Sequence, residues 1–441
     1  MLVRSPFTSD FFRRGRPMVI IKPRNTDRPN VASSIIVWLM VTSAMVFTSA
    51  TPRSGVAQVT PDRSSPNAKP NARQLGVDPL GPGSVVVRRG WLWYSPQLLA
   101  DPAQNADSST VVALLTRFQA LVDGTNPGDD RPPRWVLLSV SYDPRQLSRR
   151  DVVEGISVQF PDSVSRPLIQ AVPSRNPDGR ALAGDAILVL EGESAAMRLV
   201  ARHAGRVIPP DRDILFVSGR AARADDLGTA VAETMESLFT TAGHFGSRPS
   251  DVVQVKAFIR PMEDAATAAR SIAQSFGESP APSVTLSEWE SSLPTEIEMV
   301  VAAPDREATD RTVTFHTPPG DRASPVFSRV ARVHADTLIY FAGIVAPNAA
   351  EPVGEVESAF AQLDRLAGGH PTDFRHLAKA TYYVSDDAVS AALNEVRPRL
   401  YDPSRPPAAS KVAVPNVGIG QRGLLMDFIA VPASQLSSDP P

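Results

Sequence analysis

The feature that most constrains this chain is an internal repeat. A short apolar strand that ends in a small, tight turn occurs three times, at residues 92–97 (LWYSPQ), 215–220 (LFVSGR) and 339–344 (IYFAGI). Ser95, Ser218 and Ala342 occupy the same place in the three segments and are separated by 123 and 124 residues. Repetition at a fixed period indicates several copies of one structural unit.

The same elements follow each of these strands. An amphipathic helix comes first, because apolar residues recur at a period of 3.6; they are Val111, Leu114, Leu115, Phe118 and Leu121, then Val231, Met235, Leu238 and Ala242, then Val356, Phe360, Leu363 and Ala367. A strand follows, at residues 135–142, 252–259 and 377–384, and then a second helix that is clearest at 388–400. Two closing strands complete each unit, at 168–172 with 186–190, 283–286 with 296–301, and 411–414 with 424–431.

The order strand–helix–strand–helix–strand–strand predicts an α/β (α+β) fold, in which each unit is one mixed sheet with both helices on one face. Residues 136–140 and 382–384 suggest strands that are covered on both faces. Three sheets that bury their uncovered faces against one another form an intrachain pseudo-trimer. This closed threefold arrangement leaves no uncovered sheet face for another chain to bind. We therefore expect a monomer. Three independent units in series are the alternative.

The length of 441 residues exceeds the usual 100–200 residues of one domain. The sequence predicts a signal peptide or anchor, a linker rich in Pro and Ser, three units and a short tail. Their boundaries are 1–57 for the leader, 58–82 for the linker, 83–204, 205–304 and 305–433 for units 1, 2 and 3, and 434–441 for the tail.

The N-terminus has the form of an export signal. Residues 31–50 carry no charge and follow a basic segment, and residues 55–57 (GVA) offer a small-x-small cleavage site before Gln58. An uncleaved anchor is the alternative, because about 20 uncharged residues can just span a bilayer. We therefore expect an exported protein, periplasmic or secreted, or one anchored by residues 31–50, with no other contact to a membrane.

Composition excludes several classes of function. The chain contains no Cys, which rules out disulfides and a thiolate nucleophile. Of 45 basic and 47 acidic residues, eight basic and two acidic fall in the first 57, so the rest has a net charge of −8 and lacks the basic footprint of a nucleic-acid partner. The six His show no metal-ligand spacing, and no glycine-rich phosphate loop is present. We expect neither a metal nor a cofactor.

Unit 3 contains a characteristic series of short segments, at residues 324–328 (SPVFS), 339–343 (IYFAG), 379–384 (KATYYV), 394–396 (NEV), 407–412 (PAASKV) and 427–430 (DFIA). In their order and spacing these segments resemble the RidA (YjgF) family. Unit 2 matches at 217–219, 251–253, 280–281 and 296–298, and unit 1 rests mainly on element order and residues 95–97. The resemblance implies a chorismate-mutase-like trimer with ligand clefts between adjacent units.

Active members of that family hydrolyse 2-imino and enamine acids to 2-keto acids and ammonia, and an Arg in a Pro-Ala-Arg-Ser/Thr segment holds the substrate carboxylate. A guanidinium suits that task because it offers a planar, bidentate fork. This chain departs from the pattern. Ala409 stands at the Arg position in unit 3, and Pro282 or Ala281 stands there in unit 2. In unit 1 the candidate is Arg166, whose alternative interpretation is a solvated loop arginine.

Other family positions are partly retained. Phe327 replaces a family Tyr, Asn394 matches the family Asn, and Glu296 keeps the carboxylate that is Leu425 in unit 3. By the resemblance, the ligand clefts contain Gln97, Ser218, Gly219, Glu296, Phe327, Gly343, Asn394 and Ala409.

Two classes of function remain open. The first is a degenerate module that binds a small carboxylate-bearing metabolite or serves a structural role. The second is an imine or enamine deaminase, a hydrolase that uses a cleft with Arg166. The endoribonuclease label attached to some relatives is a third possibility, which the acidic composition disfavours.

Overall fold

The computed structural model describes residues 73–74, 78–123, 132–163, 165–203, 205–348 and 351–435. The chain divides into two units, Met1–Ser64 and Ser65–Pro441, and every described residue lies in the second. The predicted signal peptide or anchor, the first part of the linker and most of the tail lie outside the described residues. Within the described part of the chain, no helix is long and apolar enough to cross a membrane.

Eighteen strands, seven α-helices and four single-turn 3-10 helices are present in the described residues. The strands are β1 (Arg73–Gln74), β2 (Gly83–Arg88), β3 (Trp91–Tyr94), β4 (Leu98–Leu99), β5 (Arg134–Tyr142), β6 (Leu168–Pro173), β7 (Leu182–Leu190), β8 (Arg206–Ile208), β9 (Ile214–Arg220), β10 (Val252–Ile259), β11 (Ser283–Glu288), β12 (Thr295–Ala302), β13 (Val313–His316), β14 (Val330–Val333), β15 (Thr337–Ile344), β16 (Leu377–Val384), β17 (Ala408–Ala413) and β18 (Leu424–Ala430). The helices are α1 (Ser108–Asp123), α2 (Arg149–Gln159), α3 (Glu193–His203), α4 (Leu227–Gly243), α5 (Ala265–Ser275), α6 (Pro352–Ala367) and α7 (Asp387–Leu400).

These elements confirm the predicted mixed α and β composition and the order of helices and strands inside each segment. The helical stripes are also confirmed, because nearly all their apolar residues are buried in α1, α4 and α6. Side chains at the N-termini help to define several helices: Asp226 accepts from Thr229 N at 2.9 Å, and Asp386 accepts from Val389 N at 2.8 Å. Helix α3 and the short strands β8, β13 and β14 were not predicted.

The strands form three mixed sheets that share one order. The first runs β6-β5-β7-β3-β8, the second β11-β10-β12-β9-β14-β13, and the third β17-β16-β18-β15-β2-β1. In each sheet one pair is parallel (β5–β6, β10–β11, β16–β17), and the next is antiparallel (β5–β7, β10–β12, β16–β18).

The outer strands of the three sheets are exchanged between segments of the chain. Strand β8 pairs with β3 in the first sheet, β14 pairs with β9 in the second, and β2 pairs with β15 in the third. Each predicted unit therefore gives its opening strand or strands to the sheet of another unit. The sequence did not predict this exchange, because strand pairing across hundreds of residues leaves no local signal.

Each sheet packs its helices on one face, and the opposite faces share one apolar core. The helix-side clusters are separate for the three sheets, as in the cluster of α4, α5, β9, β10 and β12. The opposite faces contribute Leu92, Phe216 and Tyr340, among others, to a single buried cluster that draws on all three sheets. Burial of apolar surface at about 25 cal/mol per Å² makes this shared core a main source of stability.

Part of the predicted flexible linker is ordered against the fold. Strand β1 pairs with β2, and Leu80, which is 5% exposed, joins the apolar cluster beneath α1 and α2. The segment carries no periodic apolar pattern, so one buried leucine was too weak a signal to reveal the contact.

Candidate functional site

The second and third sheets meet at Ser218, which lies two residues before the end of β9. Its hydroxyl donates to Ser328 O at 2.5 Å and accepts from the backbone N–H of Ala409 at 2.8 Å. Ser328 N in turn donates to Pro407 O at 2.9 Å. This junction brings together three segments that the resemblance placed at one cleft. We refer to it as the β9/β17 cleft.

Glu296, at the start of β12, lies at the same cleft beside Gly219. A Cβ atom at position 219 would overlap Glu296 Oε1 and lie 2.7 Å from Ser410 Oγ, so glycine makes room for the carboxyl group. Burial, followed by the neighbouring Glu298 carboxylate, raises the pKa of Glu296 to about 7, although hydrogen bonds with Ser410 and the Lys411 N–H oppose the shift. A carboxyl group with that pKa can give or take a proton near neutral pH.

Asn394 reaches the outer side of the cleft through Lys411. Its Oδ1 accepts from Arg397 Nη2 at 2.7 Å and from Lys411 Nζ at 3.4 Å, and the ammonium also donates to Ser390 Oγ at 2.8 Å. Asn394 is exposed on α7, and its bonds are to neighbouring side chains.

Two arginines near this cleft were missed by the sequence reasoning. Arg220 directly follows Gly219, and Arg329, whose backbone oxygen accepts from Ser218 N, stacks on Phe327 with its Cζ 4.9 Å from the ring centroid. Both share one counter-ion, Asp321, which contacts Arg220 Nη2 and lies 3.6 Å from Arg329 Nε. The buried Nε atoms of both arginines have no hydrogen-bond partner in the described part of the chain.

Burial, followed by the charge of Arg220, lowers the pKa of Arg329, while Asp321 and Glu296 act in the opposite direction. The two arginines thus lie within electrostatic reach of each other and of Glu296. No motif marks them, and only the position of Arg220 after Ser218-Gly219 offered a signal.

In the other two sheets, the residues at the ends of the corresponding strands are already hydrogen-bonded to neighbouring protein groups. Gly343, with φ of 70°, donates its N–H to Asp427 Oδ1 at 3.0 Å, and a Cβ there would lie 3.0 Å from Gly81 O. Gln97 donates to Leu286 O at 2.9 Å and accepts from Leu286 N at 3.1 Å, so its amide binds the backbone of β11. Neither residue joins the Glu296 group.

Arg166 also lies outside the group of residues around Glu296. Its Nε and Nη2 donate to Phe160 O at 3.1 and 2.9 Å, at the C-terminal end of α2. The residue is 8% exposed, so the interpretation as a solvated loop arginine is wrong. Its catalytic role stays a prediction. The contacts that the structure shows are hydrogen bonds to the C-terminal end of α2.

A spatial group of possible metal ligands exists where the sequence spacing showed none. Ligand atoms of Asp213, Glu307 and His334 lie within 4.8 Å of one another. Asp213 accepts from Arg332 Nε at 2.7 Å and contacts His334 Nδ1 at 2.7 Å, and Arg332 Nη1 lies 3.4 Å from Glu307. The guanidinium already neutralises these carboxylates, so the group has the contacts of a structural ion-pair network.

Comparison with known proteins gives matches only among solved structures. No family model matches the chain, and no curated protein does. A YjgF-family protein from Neisseria meningitidis is 22% identical over 28% of this chain and 98% of its own, with a TM-score of 0.21. Yeast Mmf1 is 20% identical over 27% and 99%, with a TM-score of 0.21. A structure described as a putative endoribonuclease L-PSP from Entamoeba histolytica is 16% identical over 22% and 83%, with a TM-score of 0.19.

Proposed function

We propose that this chain is an intrachain pseudo-trimer of three RidA-like units, in which the β9/β17 cleft binds a small metabolite that carries a carboxylate. The common strand order, the cyclic exchange of outer strands and the core shared by three sheets support the pseudo-trimer. An assembly that closes on itself within one chain is expected to be a monomer. Light scattering tests this directly, and a stable trimer of whole chains would contradict it.

The observation that carries the ligand class is the arginine pair. Arg220 and Arg329 share the single carboxylate of Asp321, and their partly buried guanidinium groups have unused donors. Guanidinium groups bind carboxylates through paired N–H donors, and such bonds are stronger when partly desolvated. Arg329 thus supplies, from the residue before β14, the positive charge that Ala409 lacks.

The remaining groups fit a compact, partly apolar anion. The Phe327 ring lies beneath the Arg329 guanidinium and offers an apolar face. Glu296, when protonated, tolerates a ligand carboxylate nearby and can share a proton with it. Ser218 is already saturated by Ser328 and Ala409, so its role is to hold the two sheets together.

Hydrolysis of a 2-imino acid in the same cleft is a second candidate. One observation favours it: the pKa of Glu296 is raised to about 7, which suits a general base that activates water at neutral pH. This candidate places the chemistry at Glu296 and Arg329. Arg166 is tied to Phe160 and is not needed.

Export is also part of the proposal. The basic segment and the uncharged residues 31–50 support translocation. N-terminal sequencing of the mature protein is expected to start near Gln58. An intact N-terminus in a soluble cytosolic fraction would contradict it.

The binding proposal is tested by calorimetric titration with pyruvate, a small 2-keto acid. Arg329→Met is expected to weaken binding by about tenfold to a hundredfold, because a hydrogen bond to a charged group contributes roughly 1.5–3 kcal/mol. Arg166→Met serves as the matched control and is expected to keep the affinity. Equal affinity in wild type and Arg329→Met would refute the site. Release of ammonia from 2-iminopropanoate, lost in Glu296→Gln, distinguishes an enzyme from a binding module.

A further inference from the structure

A second polar site lies between the three sheets and adjoins the β9/β17 cleft at Ser410 and Glu298. A cavity of about 60 Å³ is lined by side chains from every sheet. Asp185, Glu298 and Asp427 occupy matching positions in the strands β7, β12 and β18, opposite Ser139, Lys256 and Thr381 in the adjacent strands. Two lysines, Lys256 and Lys379, also face this cavity. We refer to it as the axial cavity.

Part of this charge is satisfied internally. Lys379 Nζ contacts Glu298 Oε1, and Ser410 Oγ donates to Glu298 Oε2 at 2.6 Å. Asp185 accepts from Thr285 at 3.2 Å and from Gln254 at 3.5 Å. Each carboxylate oxygen of Glu298 and Asp185 therefore has one side-chain partner.

Two groups keep unused hydrogen-bonding capacity, although the charges of Asp185, Glu298 and Asp427 favour the charged form of Lys256. Lys256 Nζ makes one long hydrogen bond, 3.4 Å to Tyr383 Oη, and within the described residues it has no carboxylate oxygen within 4.0 Å. Asp427 accepts from Gly343 N through Oδ1, whereas its Oδ2 is buried and has no partner there. An ammonium group with unused donors and a carboxylate with an unused oxygen therefore face one cavity.

Unsatisfied buried charges are costly, so the cavity contents must complement both groups. A lone anion satisfies only Lys256, and a lone cation satisfies only Asp427. The volume corresponds to roughly four to six water-sized particles, at about 10–15 Å³ each. A molecule with an acceptor at one end, a donor at the other and about five non-hydrogen atoms fits these requirements.

We propose that the axial cavity binds a small zwitterionic amino acid of the size of glycine, with its carboxylate on Lys256 and its ammonium on Asp427. The two residues that would hold this ligand are not those proposed for the β9/β17 cleft, and the proposal does not depend on the function of that cleft. Burial raises the pKa of Asp427 to about 7, although Gly343 N–H, Lys256 and Lys379 oppose the shift. A ligand ammonium group keeps this carboxylate ionised.

A smaller cavity adjoins the axial cavity and is also lined by residues of all three sheets. It has a volume of about 20 Å³, shares Ser139, Gln170, Asp185 and Lys256 with the axial cavity and extends to Gln97 and Glu288. Its lining is rich in hydroxyl and amide groups, which suits a hydrated, charged ligand.

The test is calorimetric titration of the full chain with glycine, followed by a crystal structure of the complex. Wild type is expected to bind one glycine per chain. Lys256→Met and Asp427→Asn are each expected to weaken binding by about tenfold or more, since each removes a charge-assisted contact. Lys411→Met, which changes a lysine on the outer side of the β9/β17 cleft, is the matched control and should retain the affinity.

Acetate and methylammonium each carry one half of the proposed recognition and are expected to bind at least about tenfold more weakly than glycine. Leucine is expected not to bind, because its side chain exceeds the cavity. Thermal unfolding shows which variants remain folded, and the isosteric Asp427→Asn keeps the test decisive if Lys256→Met unfolds. No heat with glycine and density for water alone would overturn the proposal. Equal binding of acetate and glycine would also overturn it, because it would reduce the site to an anion on Lys256.

Discussion

The backbone N–H of Ala409 donates to the Ser218 hydroxyl over 2.8 Å, across 191 residues of sequence and between two different sheets. The same hydroxyl donates to Ser328 O, and the residue is 2% exposed. One small side chain therefore satisfies two buried backbone groups. The β9/β17 cleft depends on this contact, because Ala409 is followed by Ser410 and Lys411, which border Glu296.

Ser218→Ala is expected to lower the free energy of unfolding by about 1–3 kcal/mol, the cost of leaving a buried polar group unsatisfied. Urea unfolding measures it. Ser237→Ala, on α4, is the control and is expected to be neutral or slightly stabilising, because the serine hydroxyl makes no hydrogen bond to any residue that the structure describes. Equal stability of Ser218→Ala and wild type would show that water replaces the hydroxyl.

Gly219→Ala is expected to disturb the cleft itself. The added Cβ would overlap Glu296 Oε1 and press on Ser410 Oγ, so the carboxyl group must move. We expect a loss of about 1–3 kcal/mol in stability and weaker pyruvate binding. Gly243→Ala is the matched control, because no atom lies within 4 Å of its Cβ position in α4, and it is expected to be neutral or to stabilise the helix by up to about 1 kcal/mol.

Much of the fold was predictable because it depends on local periodicity. The stripes in α1, α4 and α6 and the strands β10 and β16 follow from alternation and helical spacing alone. The limits of the two strands are those predicted, whereas the helices begin three or four residues before the first residue of each stripe. The exchange of β2, β8 and β14 was not predictable. A register between distant strands is fixed by tertiary packing, which single-sequence patterns do not contain.

The candidate site was only partly predictable for the same reason. Ser218, Gly219, Glu296 and Ala409 were assigned to ligand clefts by their resemblance to family positions, and the structure brings them next to one another. Their role in binding a ligand stays a prediction. Arg329 was missed because its importance depends on the stacking with Phe327 and the sharing of Asp321. The pairing of Lys256 and Asp427 with one cavity is likewise invisible until three sheets are assembled.

Arg166→Met is expected to reduce stability without changing ligand affinity. The variant removes two hydrogen bonds to Phe160 O, where α2 ends, and we expect a loss of about 1–3 kcal/mol in the free energy of unfolding. Arg150→Met, at an exposed position on the same helix, is the control. If Arg166→Met keeps its stability but loses binding or ammonia release, the original assignment of this arginine to a ligand cleft is correct.

Glu296→Gln is expected to change the pH dependence of both stability and binding. The pKa of Glu296 is raised to about 7 in the folded protein, above its unfolded value of about 4.3, so the folded state binds the proton more tightly. Its contribution to stability is therefore complete below about pH 4 and is lost as the pH rises through about 7. Asp427 has the same direction of shift, so Glu296→Gln is expected to remove only part of this dependence.

Pyruvate binding provides the more selective measurement. When Glu296 ionises, its negative charge repels the ligand carboxylate, so the affinity of wild type is expected to fall by about tenfold between pH 6 and pH 8. Glu296→Gln keeps the shape of the side chain and cannot ionise, so its affinity is expected to stay nearly constant over that range. Asp427→Asn leaves the β9/β17 cleft intact and should retain the wild-type dependence. An unchanged slope in Glu296→Gln would show that the titrating group is another one, and that Glu296 does not face the ligand.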